Sequence, residues 1–528
     1  MAACQKNKVD VILSNGQIYT VDENFSRTEA MAVKDGKIVE TGPSDVIEKK
    51  YDAKEQVDLE GKFVYPGFID AHAHFTGYAE NLYRYADLRD TKDFNEVLDI
   101  LKKHDNTVND KWLCGRGWDQ NDWPGLQYPD KTELDKHWPE RPVYLVRIDG
   151  HAALVNSKAL EMASITPESQ CTGGEYVKKN GELTGLLIDN AMEDVINLIP
   201  PVPKKDMLSA LKVAEQNCFE TGLTMVSDAG LNKNMVEWLD GFYKNGSLKI
   251  RCNAMLYPTQ ENYERFVKGG PYHTDRLTVR SVKLYSDGAL GSRGACLLED
   301  YADDPGNTGF ILEDKEYYEK HCKAAAENGY QVCTHCIGDS ALRFMLDVYA
   351  PFVKGKKDHR WRIEHAQTVH PEDLPRFGEL GVIPSIQTAH CTSDMDWAIV
   401  RLGKERIKTA YVYRDLLKQN GWLINGTDFP IEEIHPLNTF FSAVFRTHHD
   451  GTPEGGFQME NALSREDALR SMTIWAAKGS FDEHTRGSLE KGKFADFVIL
   501  DTDLMKAGPQ EVLNTQVLET WVQGEKVF

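Results

Sequence analysis

His72 and His74 stand two residues apart at the end of FVYPGFIDAHAHF, residues 63–75. Side chains at i and i+2 of a strand share a face, so both imidazoles can reach one metal ion. A solvated or core histidine pair has the same spacing. Further metal-capable groups recur at the ends of later apolar runs: Lys283 in SVKLYSDGAL, His335 in CTHCIGD, His365 in RIEHAQ and Asp428 in NGTDFP. Taken singly, His335 reads as a hydrogen-bonded structural histidine and Asp428 as a turn cap. Their joint occurrence at one end of consecutive strands points to a metal site.

Eight apolar strand-like runs must position these groups. After the opening strand they cover 223–227, 250–256, 280–286, 330–335, 361–365, 382–387 and 422–425. The segments 204–220, 315–328 and 341–353 between them carry helical spacing. Eight β/α units predict an α/β fold of the TIM (β/α)8 type, whose active sites lie at the carboxyl ends of the strands. The gap at about 76–220 is too long for a structureless loop. It is expected to be an inserted α+β subdomain beside the barrel mouth.

Both chain ends are β-rich. Asn15-Gly16 predicts a hairpin between 9–13 and 17–21, and Asp35-Gly36 a second between 29–33 and 37–40. At the far end, ADFVILD (495–501) is a dense apolar strand, and Gln523-Gly524 joins a terminal hairpin. The expected organisation is a small composite β-sandwich from 1–62 and 486–528 beside a barrel over 63–485.

The chain has 528 residues, 61 Lys+Arg and 82 Asp+Glu, for a net charge of −21. Such a surface repels phosphate backbones, which argues against a nucleic-acid partner. No apolar run reaches the roughly 18 residues of a membrane span. Ala2-Ala3-Cys4 resembles the tail of a bacterial lipoprotein signal. Two readings stay open: an exported protein lipid-anchored at Cys4, or a cytoplasmic start with a chance AAC. The ten cysteines are scattered, and Cys333-x-x-Cys336 lacks the second CxxC of a zinc ribbon. They are expected to be reduced and mostly buried. A homodimer is the default expectation for assembly.

The chain resembles the amidohydrolase superfamily, closest to the branch that includes N-substituted formamide deformylases. The resemblance runs through LSNGQIYTVD, PGFIDAHAHF, DGHAALVNSKAL, VKLYSDGALGSRGA, THCIGD, RIEHAQ, NGTDFP and GSLEKGKFADFVILD. It implies a barrel flanked by a composite sandwich. It also implies that His72, His74 and Asp428 hold one metal and that His335 and His365 hold a second. Lys283 would bridge them as a carbamate formed with carbon dioxide. An ordinary lysine that contacts substrate, beside a single metal, is the alternative. The ligand types suit zinc best. The implied activity is hydrolysis of an amide or related non-peptide C–N bond in a small molecule. Asp428 would serve as general base and then general acid. A single-metal deaminase, or a silent binding protein on the same scaffold, are the competing readings.

On the substrate side, His151 could donate to a substrate oxygen or hold its loop. Trp118 and Trp123 could form an aromatic wall or a core. Arg293, after DGALGS, could face an anionic group. That stretch lacks the lysine of a P-loop and is not a nucleotide cradle. His390 and His448-His449 carry no motif that marks them as ligands.

Overall fold

The computed structural model describes residues 6–106, 110–356 and 358–528. Cys4, the lipid-anchor position considered above, lies outside them. Eight parallel strands follow one another in chain order: Phe68–Ala73, Leu223–Leu231, Arg251–Leu256, Leu277–Tyr285, Gln331–Cys336, Arg362–His365, Ile383–Ile386 and Ile424–Asn425. Strands buried on both faces read as continuous apolar runs, and every position of Arg251–Leu256 is buried. The last strand is only two residues long. The seam to the first is made just beyond it, where Asp428 N donates to His72 O at 2.8 Å and His74 N to Phe429 O at 2.8 Å. Closure of the barrel therefore fixes three candidate ligands against one another.

The run at residues 63–66 is not the start of the barrel. Phe63–Pro66 pairs in parallel with Gln17–Tyr19 and antiparallel with Phe497–Leu500, in a sheet built from both chain ends. The chain enters the barrel after Gly67, where an added Cβ would meet the Thr224 side chain at 2.3 Å. A second sheet, Lys37–Gly42, Ala30–Lys34, Asn7–Ser14 and Tyr51–Asp58, packs against the first. Phe497 and Trp521 stack with centroids 5.3 Å apart in the shared core, a pair that contributes about 0.5–1.5 kcal/mol beyond its burial.

The hairpin expected at Asn15-Gly16 does not form. Asn7–Ser14 pairs with Ala30–Lys34 and Tyr51–Asp58, while Gln17–Tyr19 joins the other sheet. Asn15 has φ 59°, and the Leu59 side chain fills the space a Cβ on Gly16 would need. The turn residues are used for a corner between two sheets, which the same dipeptide permits. The hairpin at Asp35-Gly36 forms as expected.

Between the first and second barrel strands lies a six-stranded mixed sheet, from Ala86–Asp87 to Glu182–Asp189. Alternate residues of Val143–Arg147 feed two cores: Val143 and Leu145 one, Tyr144 and Val146 the other. Trp118 and Trp123 belong to the first of these cores. Trp118 donates to Leu145 O at 2.9 Å and Trp123 to Thr91 O at 2.9 Å. They are core and not an aromatic wall, because the bulge between Arg116 and Trp118 turns the strand end inward. The nine described cysteines are unpaired, and all but Cys171 are buried. Among the described residues no helix is long and apolar enough to cross a membrane.

Candidate metal centre

The carboxyl ends of the strands open into a cavity of about 340 Å³. His72 and His74 enter from the first strand, Lys283 from the fourth, His335 from the fifth and His365 from the sixth. Asp428 comes from the turn after the eighth. His365 and Asp428 adopt φ of 70° and 63°. Left-handed backbone at a non-glycine residue costs energy and concentrates at functional sites.

His72 Nδ1 donates to Glu364 Oε2 at 2.6 Å, and His74 Nδ1 to Ala229 O at 3.2 Å. Each ring therefore aims its Nε2 lone pair inward. These Nε2 atoms lie 3.5 Å and 3.2 Å from Asp428 Oδ1, an oxygen that is buried with no hydrogen-bond donor among the described residues. Lys283 Nζ can donate to His72 Nε2, but among the described residues no hydrogen bond reaches Asp428 Oδ1, so the anionic oxygen faces the two ring lone pairs. A cation between them removes the conflict, and the donor set of two imidazoles and a carboxylate fits a divalent metal. Burial would raise the Asp428 carboxyl, but His72, His390 and His74 outweigh it and hold it well below the usual carboxylate range. Burial also lowers His74, His335 and His365, which favours the neutral, ligating form.

Lys283 Nζ lies 3.1 Å from His72 Nε2 and is fully enclosed. Burial lowers its amine, so the uncharged form is accessible. His365 lies beside His72, with ring centroids 5.0 Å apart, and its Nδ1 is buried without a hydrogen-bond partner among the described residues, 4.0 Å from Asp428 Oδ2. His335 packs on His365 at 4.5 Å, and its Nε2 faces Gly288 O at 3.3 Å.

Sequence reading missed His390. It comes from the first turn of the helix Thr388–Arg406, and His365, His390 and Asp428 lie close enough to share an ion. Yet both ring nitrogens already face carboxylates, Nδ1 on Glu432 at 2.8 Å and Nε2 on Asp428 at 3.3 Å. Burial opposes its charge, but these two bonds prevail and raise it well above the usual histidine value. In this arrangement His390 bridges Glu432 and Asp428 Oδ2 through its two ring nitrogens. Glu364 was also missed, although it precedes His365 in RIEHAQ. Burial would raise its carboxyl, but His72 dominates and holds it at about 2. Asp70, buried and raised to about 7 chiefly by burial, accepts from Thr427 and from His72 N and fixes the seam.

His151 lines the cavity, with its ring 4.8 Å from that of His335. Arg293 does not line it. Its guanidinium pairs with Asp303 at 2.7 Å, and Asp303 also takes Arg401. Its side chain is committed to Asp303 away from the cavity lining, so the expectation for Arg293 is corrected. Arg147, unremarked in the sequence, is a buried arginine of the cavity wall. It is held between Asp119 and Asp149, the latter at 2.5 Å.

A parallel eight-stranded barrel with imidazoles and a carboxylate at its carboxyl-end mouth defines a class, the metal-dependent barrel hydrolases. Within that class, the chain belongs to the amidohydrolase family, whose model matches residues 55–528. It is 33% identical to Protein LONG AFTER FAR-RED 3 of Arabidopsis thaliana, over 98% of this chain and 91% of that one. It is 25% identical to N-substituted formamide deformylase of Arthrobacter pascens, over 98% and 97%. A metal-dependent hydrolase from Pyrococcus horikoshii superposes with a TM-score of 0.77 at 31% identity, covering 94% of this chain and 99% of that structure.

Proposed function

We propose that this hydrolase cleaves an amide or related non-peptide C–N bond of a small molecule. The observation that carries the reading is the convergence of His72 Nε2, His74 Nε2 and Asp428 Oδ1 on one point. His72, His74 and Asp428 would hold one ion. His335 and His365 would hold a second, with Lys283 as a bridging carbamate and zinc as the ion that suits the set. Bound there, a divalent metal supplies a water of lowered pKa and a polarised carbonyl.

The chain's own groups do the rest. Asp428 Oδ1 faces His72 and His74, and Oδ2, which also meets His390 Nε2, would take a proton from the attacking water. Asp428 then returns that proton to the leaving nitrogen. Glu364 and the Ala229 carbonyl keep both histidines in the ligating tautomer. The cavity is sized for a small molecule and not for a folded polypeptide. Similarity to the Arthrobacter deformylase makes N-substituted formamides the first substrates to test. A one-metal arrangement is the second reading. In it Lys283 keeps its amine beside His72 Nε2 and contacts substrate.

The test is a panel of formamides, acylated amines, acylated amino acids and heterocyclic amines, offered to metal-loaded protein. Release of an amine or ammonia that stops on chelation and returns with metal is the expected result. Metal bound in full with no turnover across the panel would refute it.

A further inference from the structure

Asp189, the last residue of the strand Glu182–Asp189, sits at φ 48° and ψ −123°, a conformation that L residues rarely adopt. Strain of this kind persists where the surroundings impose it. Here they do. The side chain is wedged against the loop that follows the Lys283 strand, and a Cβ on Gly288 or Gly294 would come 2.3 Å from Asp189 Oδ2. That oxygen is buried with no donor among the described residues. The other, Oδ1, accepts from His151 Nδ1 at 2.6 Å, and Asp189 N donates to His151 O at 3.0 Å. With Nδ1 engaged, the ring is held with its opposite edge at the cavity, against His335.

We propose that Asp189 is a positioning residue that locks His151 with Nε2 toward the cavity, so that the inserted subdomain supplies a substrate-contacting group to the barrel site. Both members come from the insertion, and both glycines that admit the carboxylate come from the barrel. The pair is thus a joint between the two parts, and the barrel alone lacks this wall of its site. The inference rests on the hydrolase reading for the substrate contact, but the lock itself is independent of it.

Protein labelled with 15N at histidine and loaded with zinc tests the lock. His151 Nδ1 is expected to carry a slowly exchanging proton in the wild type and to lose it in Asp189→Ala. The same resonance in both would overturn the proposal. On the amide that the wild type cleaves, His151→Phe is expected to lower kcat/KM by about 100-fold, the scale of losing one oriented polar contact, with metal content unchanged. Asp189→Ala is expected to add nothing in the His151→Phe background. Independent, multiplicative losses would contradict the coupling. If Asp189→Ala is insoluble, His151→Phe still decides: unchanged kcat/KM overturns the substrate contact. Loss of zinc from His151→Phe would make the residue part of the metal shell and refute it equally. If the wild type cleaves no amide, the function fails while the resonance still decides the lock.

Discussion

His72 Nδ1 donates to Glu364 Oε2 at 2.6 Å, between two side chains with no exposed surface and 292 residues apart in the chain. A carboxylate behind a ligating imidazole fixes its tautomer and raises its basicity. Arg362, 3.9 Å from the other oxygen of Glu364, adds a positive charge behind that carboxylate and donates to Ala71 O at 3.1 Å in the His72 strand. Glu364→Gln should weaken metal binding about 10- to 100-fold. A competition titration against a fluorescent chelator measures this, and wild-type affinity would exclude the role.

Lys283 separates the two metal arrangements. With a bridging carbamate, protein grown and loaded under 13C-labelled carbon dioxide carries a carbamate carbon resonance, and Lys283→Ala drops the zinc count from two to one. A count of one in both proteins, without the resonance, would establish the single-ion site.

Arg251 and Asp496 join the third barrel strand to the C-terminal sheet, 2.7 Å apart and buried. Burial would raise Asp496, but Arg251 overcomes it and lowers the carboxyl below its usual value. A depressed folded pKa contributes stability above the unfolded value of about 3.9, and that stability is lost as pH falls through the folded value. Asp496→Ala should therefore cost about 3–5 kcal/mol at neutral pH, because it strands a buried guanidinium. The urea midpoints of variant and wild type should approach each other below about pH 4. A constant gap between the midpoints down to strong acid would rule out this ion pair as the cause.

Removal of residues 487–528 takes away Phe497–Leu500, the antiparallel partner of Phe63–Pro66, and five of the thirteen buried residues of the sandwich core. The exposed edge of Phe63–Pro66 is then open to association. Truncated protein is expected in the insoluble fraction. A soluble form with one cooperative unfolding transition would show that the two ends fold independently.

The barrel was legible because its strands are apolar runs buried on both faces, and residues 250–256 could hardly be anything else. Five of the six candidate ligands stand at or next to the carboxyl ends of such runs, so their meeting followed from topology. What could not be read were partnerships set by tertiary approach. Glu364 points to His72 from another strand. His390 finds Glu432 and Asp428 only after its helix packs. Asp189 meets His151 across two paired strands of the insertion, 38 residues apart in the chain. Trp118 shows the limit from the other side, since an aromatic residue fits a wall and a core equally until a bulge decides its face. Asn15-Gly16 serves a hairpin or a corner, and only the pairing of Asn7–Ser14 chooses.

The central claim is that a metal held around Asp428 carries the hydrolysis. Zinc counting by mass spectrometry, beside turnover on the best amide, tests it in wild type and Asp428→Asn. The asparagine keeps the volume and the seam through its backbone N, but loses the anionic oxygens facing His72, His74 and His390. The account predicts a folded variant that retains part of its metal and loses turnover by at least about 100-fold, the scale of a lost general base. Near-wild-type turnover in Asp428→Asn, or full activity in metal-free wild type, would contradict it.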